Sequence, residues 1–354
     1  MFIWRALPKA AGWRWLLLLM LLFAGGCASL GYYGQSIGGQ WAVWERRQPI
    51  AELIAAPETP AALREKLQTV LAIRAFASRE LALPDNPSYR SYADLQRPFV
   101  VWNVFAAPPL EMTLQRWCFP FAGCVGYRGY FSKPAAEAFA AQLGREGLET
   151  YVAGVAAYST LGWFDDPLLN TVIQRPPARI AGLIFHELAH QQLYLQGDTA
   201  FNEGFATAVE LEGVRRWLAV HGDDAQREAD QQFRQRQDAF VALVTGARDR
   251  LRGLYAQGLD EAEALARKAA IQAGLRRDYR RLREEWGGYD GYDAWFAQGL
   301  NNAQLAAVTT YRDHVPVFQR LLAEQGGDME AFYRACRELS GRPAQEQASL
   351  LAGR

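Results

Sequence analysis

The chain has 354 residues, 50% hydrophobic and 21% charged, an ordinary globular balance with enough apolar material for a large core and one or two domains. Its 38 basic side chains are offset by 38 acidic ones. No basic stripe is left over for a nucleic acid, and that class of partner is excluded.

Arg5, Lys9 and Arg14 make a basic leader, and Trp15 to Phe23 (WLLLLMLLF) is an apolar run. The run is too short for a comfortable membrane span and suits a secretory signal. It leads through Ala24-Gly25-Gly26 into Cys27, which resembles a bacterial lipobox with Ala24 where Leu is usual. The resemblance implies cleavage before Cys27 and lipid on that cysteine; the alternative is a plain cleavage site followed by a free thiol, a poor choice in an oxidising compartment. Ser29 after the cysteine, rather than Asp, by analogy favours the outer over the inner membrane. No later segment is apolar enough to span. The expectation is a protein on the periplasmic side of the bacterial outer membrane, anchored to it through Cys27 rather than embedded.

Residues 28–35 (ASLGYYGQ) read as a tether, and residues 41–83 as helical with a break at Pro57 and Pro60. After the break, Leu63, Leu67, Leu71 and Phe76 fall near a 3.6-residue period. Phe99 to Phe105 is β-rich and stops at Pro108-Pro109; Tyr127 to Phe131 is a second strand candidate. Between them, Cys118 and Cys124 flank a Pro- and Gly-containing loop. In an exported protein they are read as a disulfide, closing a short loop and contributing roughly 2 kcal/mol; the rival, metal binding, lacks nearby histidines. A helix from Pro134 to Leu143 and a strand from Thr150 to Val155 complete a small sheet region. Cys336 is left as a buried small hydrophobe.

From Pro177 onward the pattern is helical. Pro177 suits a first helical turn, Gly197 can close that helix, and Thr199 can cap the next. Later faces gather Phe233, Phe240, Val244, Leu251 and Leu254, then Leu275, Tyr279, Leu282 and Trp286. The expected organisation is a signal over 1–26, a lipidated cysteine and tether over 27–40, N-terminal helices and a small sheet over 41–176, and a helical catalytic part over 177–354.

The chemistry concentrates in HELAHQQLYLQGDTAFNEGFA, residues 186–206, which holds two of the four histidines. His186 and His190, at i and i+4, project from one side of a helix, where one Zn²⁺ can take both nitrogens at about 2.0–2.1 Å. Glu187 is turned by about 100° from His186. It is placed to deprotonate a metal-activated water rather than to share the metal. Glu203, on the following helix, is the candidate third ligand, and two histidines with a glutamate form a catalytic zinc set. Glu210 and Thr207 are candidates to support the ligands, against the alternatives of a surface glutamate and a packing threonine.

FNEGFATAVE resembles the third-ligand segment of gluzincin aminopeptidases, in which a second acidic residue seven positions on supports a ligating histidine; Glu210 has that offset. The chain departs from those enzymes in having only twelve residues between His190 and Glu203 and no Gly-x-Met-Glu-Asn segment. As a whole, through WCFPFAGCVGYRGYF, STLGWFDDPLLNT, HELAHQQLY, FNEGFATAVE and NNAQLAAVTTYRDHVPVF, it is similar to the bacterial lipoproteins predicted to be aminopeptidases. The resemblance implies an α+β, zincin-like fold, a small sheet followed by a mainly helical catalytic body. It also implies one Zn²⁺ per chain and a peptide substrate. Tyr311 or His314 is the expected donor to the tetrahedral oxyanion, unless that segment is only a helix start before Pro316. Asp165 and Asp166 either bind a substrate amine or form a turn beside Pro167. His221 reads as a residue near a helix end. The expected activity is a zinc peptidase, an aminopeptidase first. The alternatives are an endopeptidase acting on envelope proteins or peptidoglycan crosslinks, and an envelope lipoprotein with a non-catalytic zinc.

Overall fold

A computed structural model describes residues 31–119, 123–160, 164–308, 314–343, 346 and 351. The expectations for the signal, for Cys27 and for Tyr311 lie outside the described residues. The chain divides into two units, Met1–Arg46 and Arg47–Arg354. In the first, residues 31–45 form a helix, α1, where a tether was expected. One-turn contacts support it: Ser36 Oγ donates to Tyr32 O at 3.0 Å, and Trp41 Nε1 donates to Glu45 Oε1 at 2.7 Å. Among the described residues no helix is long and apolar enough to cross a membrane.

The second unit is mixed α and β. β1 (Arg47–Pro49) and α2 (Ile50–Ala55) precede the proline break, and α3 (Ala61–Leu81) follows it directly after Pro60. β2 (Ser91–Ala93) pairs antiparallel with β1 and parallel with β8 (Leu168–Leu169). Strands of two or three residues are too short to show a period, so this sheet has no counterpart in the sequence reading. The second sheet has the order β6-β3-β7, with β3 (Val101–Ala107) antiparallel to both β6 (Arg128–Tyr130) and β7 (Glu149–Val155). It matches the three strands expected, and β7 is an edge strand. Between β3 and β6 lies a hairpin of β4 (Trp117–Phe119) and β5 (Gly123–Val125), in which Cys118 and Cys124 face each other and are joined by a disulfide. α4 (Lys133–Arg145) covers β3 and β7, capped by Ser132.

After the short α5 (Asn170–Ile173) come α6 (Pro177–Gln192), α7 (Thr199–His221), α8 (Asp224–Tyr255), α9 (Glu261–Glu285), α10 (Asp293–Phe296), α11 (Asn302–Ala307), α12 (Val315–Glu324) and α13 (Met329–Ser340). The main core wraps α6 and α7. Phe76 of α3, Phe185 and Leu188 of α6, Phe205 and Val209 of α7, Phe318 of α12 and Phe332 of α13 are all buried in it, with Cys336. A smaller core joins α8 and α9 through Val244, Leu251, Leu275 and Tyr279. This hairpin is tied to the second sheet by a buried polar clamp. Lys268 Nζ reaches Glu149 Oε1 at 2.5 Å and Pro109 O at 2.7 Å, and Glu149 Oε2 accepts from Asn302 N at 2.7 Å. The charges are tolerable inside because they pair with each other and each makes a further hydrogen bond.

The link between α6 and α7 differs from expectation. α6 ends at Gln192, since Leu193 is extended (φ −152°), and Gly197 lies in the turn beyond with φ 87°. The cap of α7 is Asp198, whose carboxylate accepts from Phe201 N at 2.9 Å; Thr199 is its first residue. An aspartate beside a threonine is the stronger cap. Gly213 sets how closely α7 approaches α6 and α3: a Cβ there would lie 2.5 Å from Phe185 Cδ2 and 2.8 Å from Leu81 Cδ1. Gly213→Ala is therefore expected to destabilise the fold by about 1–3 kcal/mol through overpacking. Calorimetry should show Tm several degrees lower; an unchanged Tm would contradict the contact.

Candidate active site

α6 presents His186 and His190 one turn apart, their ring centroids 4.8 Å from each other and their Nε2 atoms 3.2 Å apart. α7 runs back against α6 and presents Glu203 and Glu210, seven residues apart and so on one face. Glu203 straddles the histidines: Oε2 is 3.4 Å from His186 Nε2, and Oε1 is 3.6 Å from His190 Nε2. Glu210 Oε2 lies 3.2 Å from Nδ1 of His186. With Nδ1–H donating to Glu210, the His186 ring turns its Nε2 lone pair toward His190 and Glu203.

One ligand atom from each of His186, His190 and Glu203 falls within 4.8 Å of the others. Separations of 3.2–3.6 Å are close to the tetrahedral edge of about 3.3 Å that ligands make around an ion at about 2.0 Å. The donor set and its spacing fit a small cation. Electrostatics point the same way. Burial alone would lower His186, but its hydrogen bonds with Glu203 and Glu210 and the charge of Glu187 raise it to about 10. His190 is pushed down to about 4 by burial and by the charged His186. Glu187 is pushed up to about 7, chiefly by burial, with His186 opposing. Burial would raise Glu203 and Glu210 as well, yet their bonds to His186 lower both. The carboxylates thus favour a positive charge beside the two imidazoles, a proton on His186 or a bound cation with both rings neutral.

The residues of FNEGFA divide the labour. Asn202, 2% exposed, accepts from Leu195 N at 2.7 Å and donates to Leu195 O at 2.8 Å, which pins the link between the helices. Gly204 makes room for α12: a Cβ would lie 2.9 Å from Cβ of His314. Phe201 and Phe205 pack edge-on against Phe318. Glu203 alone points its polar end toward α6. Gly182 of α6 is a second clearance, since a Cβ would come within 3.2 Å of Glu210 Oε1.

Other expected residues fall as follows. His314 precedes α12 and packs on Gly204, next to Glu203, with its Nδ1 buried and without a hydrogen-bond partner among the described residues. Among the described residues Thr207 makes no side-chain hydrogen bond to the site. Asp166 is 4% exposed, and its carboxylate accepts from Thr160 N at 2.9 Å and from the hydroxyls of Ser159 and Thr160. His221 stacks on Trp217 at 3.9 Å at the end of α7. The sequence reading overlooked Tyr194, 48% exposed and edge-on to His190 at 6.4 Å. It also overlooked Gln191, which takes Asn86 Nδ2 at 2.7 Å. Neither carries a motif; a polar residue directly after a ligand was the one available sign.

A family model described as "Putative aminopeptidase" matches residues 31–351. No curated protein and no solved structure matches the chain. Glu210→Ala is expected to leave the fold intact and to weaken metal binding about 10–100-fold, as loss of a partner behind a ligand does. Competition with a chromophoric chelator measures this; unchanged affinity would mean that Glu210 does not hold His186.

Proposed function

Because the chain belongs to the putative aminopeptidase family, we propose that it is a zinc-dependent peptidase of zincin-like type, and an aminopeptidase rather than an endopeptidase. The observation that carries the reading is the convergence of His186, His190 and Glu203 within ligand distance of one another, with Glu187 on the next position of the same helix. Two imidazoles and one carboxylate are the donors of a catalytic zinc set that keeps a position open. When bound there, zinc supplies Lewis-acid polarisation of a carbonyl and lowers the pKa of water.

The chain's own residues carry the remaining steps. Glu187 takes the proton of the attacking water on its carboxylate and passes it to the leaving amine nitrogen. Glu210 holds the tautomer and orientation of His186. His314 or Tyr311 donates to the developing oxyanion; the position of His314 beside Gly204 supports the first. The substrate backbone pairs with the edge strand β7, as an added strand would. The protein acts in the bacterial envelope, held on the periplasmic side of the outer membrane by lipid on Cys27.

Glu187→Gln is expected to retain its zinc and to lose hydrolysis by about 10²–10⁴-fold; full activity would remove Glu187 as the base. In a peptide-library digest, cuts confined to the first residue are expected. Internal cuts would make the enzyme an endopeptidase, and no cuts by zinc-loaded protein would end the peptidase reading. Labelled fatty acid should enter the parent protein and not a Cys27→Ala variant.

A further inference from the structure

In the first unit of the chain, helix α1 (residues 31–45) turns its apolar side outward. The side that loses accessibility runs from Tyr32 through Gln35, Ser36 and Gln40 to Val43 and Trp44. Its middle is amide and hydroxyl. The opposite side carries Tyr33, Gly34, Ile37, Gly38, Trp41 and Ala42, with no amide and no charge. Ile37 is 70% exposed, Trp41 57% and Tyr33 40%. Among the described residues, a Cβ built on Gly34 or Gly38 would meet nothing within 4 Å, so the space over this side is open. Over residues 33–42 the pattern is the reverse of a water-facing helix, which puts polar side chains out and apolar ones in. A single exposed apolar residue is ordinary, whereas a row of them on one side marks a contact surface.

Tyr33, Ile37 and Trp41 stand at i, i+4 and i+8, a single row about 12 Å long. Charge and distance along the chain point to what covers it. No Asp, Glu, Lys or Arg occurs between Cys27 and Glu45, and then Glu45, Arg46 and Arg47 follow one another. The uncharged stretch is the one next to Cys27. Gly31, where α1 begins, is four residues beyond Cys27, and four residues in any conformation span at most about 14 Å. Acyl chains on Cys27 sunk in a bilayer therefore hold the start of α1 against the headgroup layer. Trp and Tyr are the favoured side chains at that depth, because a ring with a polar edge suits both the acyl boundary and the wet headgroups. A second copy of the chain is the poorer occupant. Three side chains exposed by 40–70% offer on the order of 350 Å², under half of the ~800 Å² per partner that a stable interface buries.

We propose that α1 is an interfacial helix: it lies on the leaflet that holds the Cys27 lipid, with Tyr33, Ile37 and Trp41 sunk into the boundary between headgroups and acyl chains. The proposal rests on the reading of Cys27 as the lipidated residue. Lipid on Cys27 fixes where the chain meets the membrane; the row of three fixes how α1 lies on it. Neither contact replaces the other. Three side chains are too few to hold a vesicle by themselves, and a lipid alone leaves the helix free to swing.

The test uses the full lipidated protein in vesicles of phosphatidylethanolamine and phosphatidylglycerol whose acyl chains are brominated near the headgroup. Bromine quenches tryptophan only at short range. Emission of the parent should be quenched, and the quenching should fall about twofold or more both in Trp41→Phe and in Ile37→Glu, which breaks the row and keeps the indole. Both variants should keep their lipid and stay on the vesicles. An unquenched parent, or an Ile37→Glu variant quenched like the parent, overturns the proposal. So does a parent that is dimeric in detergent beside a monomeric Ile37→Glu, which would give the row to a second copy. The two readings fail separately. A parent that carries labelled fatty acid but is not quenched removes the interfacial helix alone. A parent that takes up no fatty acid removes the anchor at Cys27 and this proposal with it.

Discussion

Gathering the half-buried Glu187, Glu203 and Glu210 around His186 is tenable only if positive charge is held among them. Isolated carboxylates do not enter a protein interior without pairing or neutralising. Here Glu203 and Glu210 bracket His186 from its two ring nitrogens, at 3.4 and 3.2 Å, and burial holds Glu187 up to about 7. The arrangement concentrates negative charge around two imidazoles whose Nε2 atoms nearly touch. That is a poor way to stabilise a fold and a good way to hold a cation.

The rest of the molecule can be understood as what keeps that concentration in place. α6 and α7 must run close enough for a carboxylate on one to reach a ring on the other. Gly182 and Gly213 allow this approach, and aromatic side chains from α3, α12 and α13 close around the pair. The link between the helices is short and pinned by Asn202, so the first turn of α7 cannot drift. Rigidity of this kind matters more at such a site than raw stability, because a misplacement of about 1 Å can cost a hundredfold in rate. The α8–α9 hairpin has its own core, a clamp to β7, and an ion pair from Asp230 to Arg179 of α6.

Much of the site was legible because it is local. Two histidines at i and i+4 face one way on any helix, and a glutamate seven residues before another shares its face. The NEGFA segment marked the helix to which the third donor belongs. The strands β3, β6 and β7 were legible for the same reason, each being a β-rich run, with that of β3 ended by Pro108-Pro109. What remained hidden is long-range or too short. Nothing in Pro84 to Arg90 announces that Arg74 will gather its carbonyls or that Asn86 will find Gln191, 105 residues away. The sheet of β1, β2 and β8 has too few residues per strand to leave a pattern. The end of α6 was misjudged because Gly197 looked like a terminator, whereas Leu193 is already extended and Asn202 satisfies the backbone of Leu195.

The central claim is that this pocket is a zinc centre made by His186, His190 and Glu203, and elemental analysis of the purified protein beside its Glu203→Ala variant tests it most directly. The account predicts one zinc per chain in the parent and a small fraction of that in the variant, with both proteins folded. A folded parent that contains no stoichiometric transition metal after incubation with zinc, or a variant that keeps a full equivalent, would contradict it.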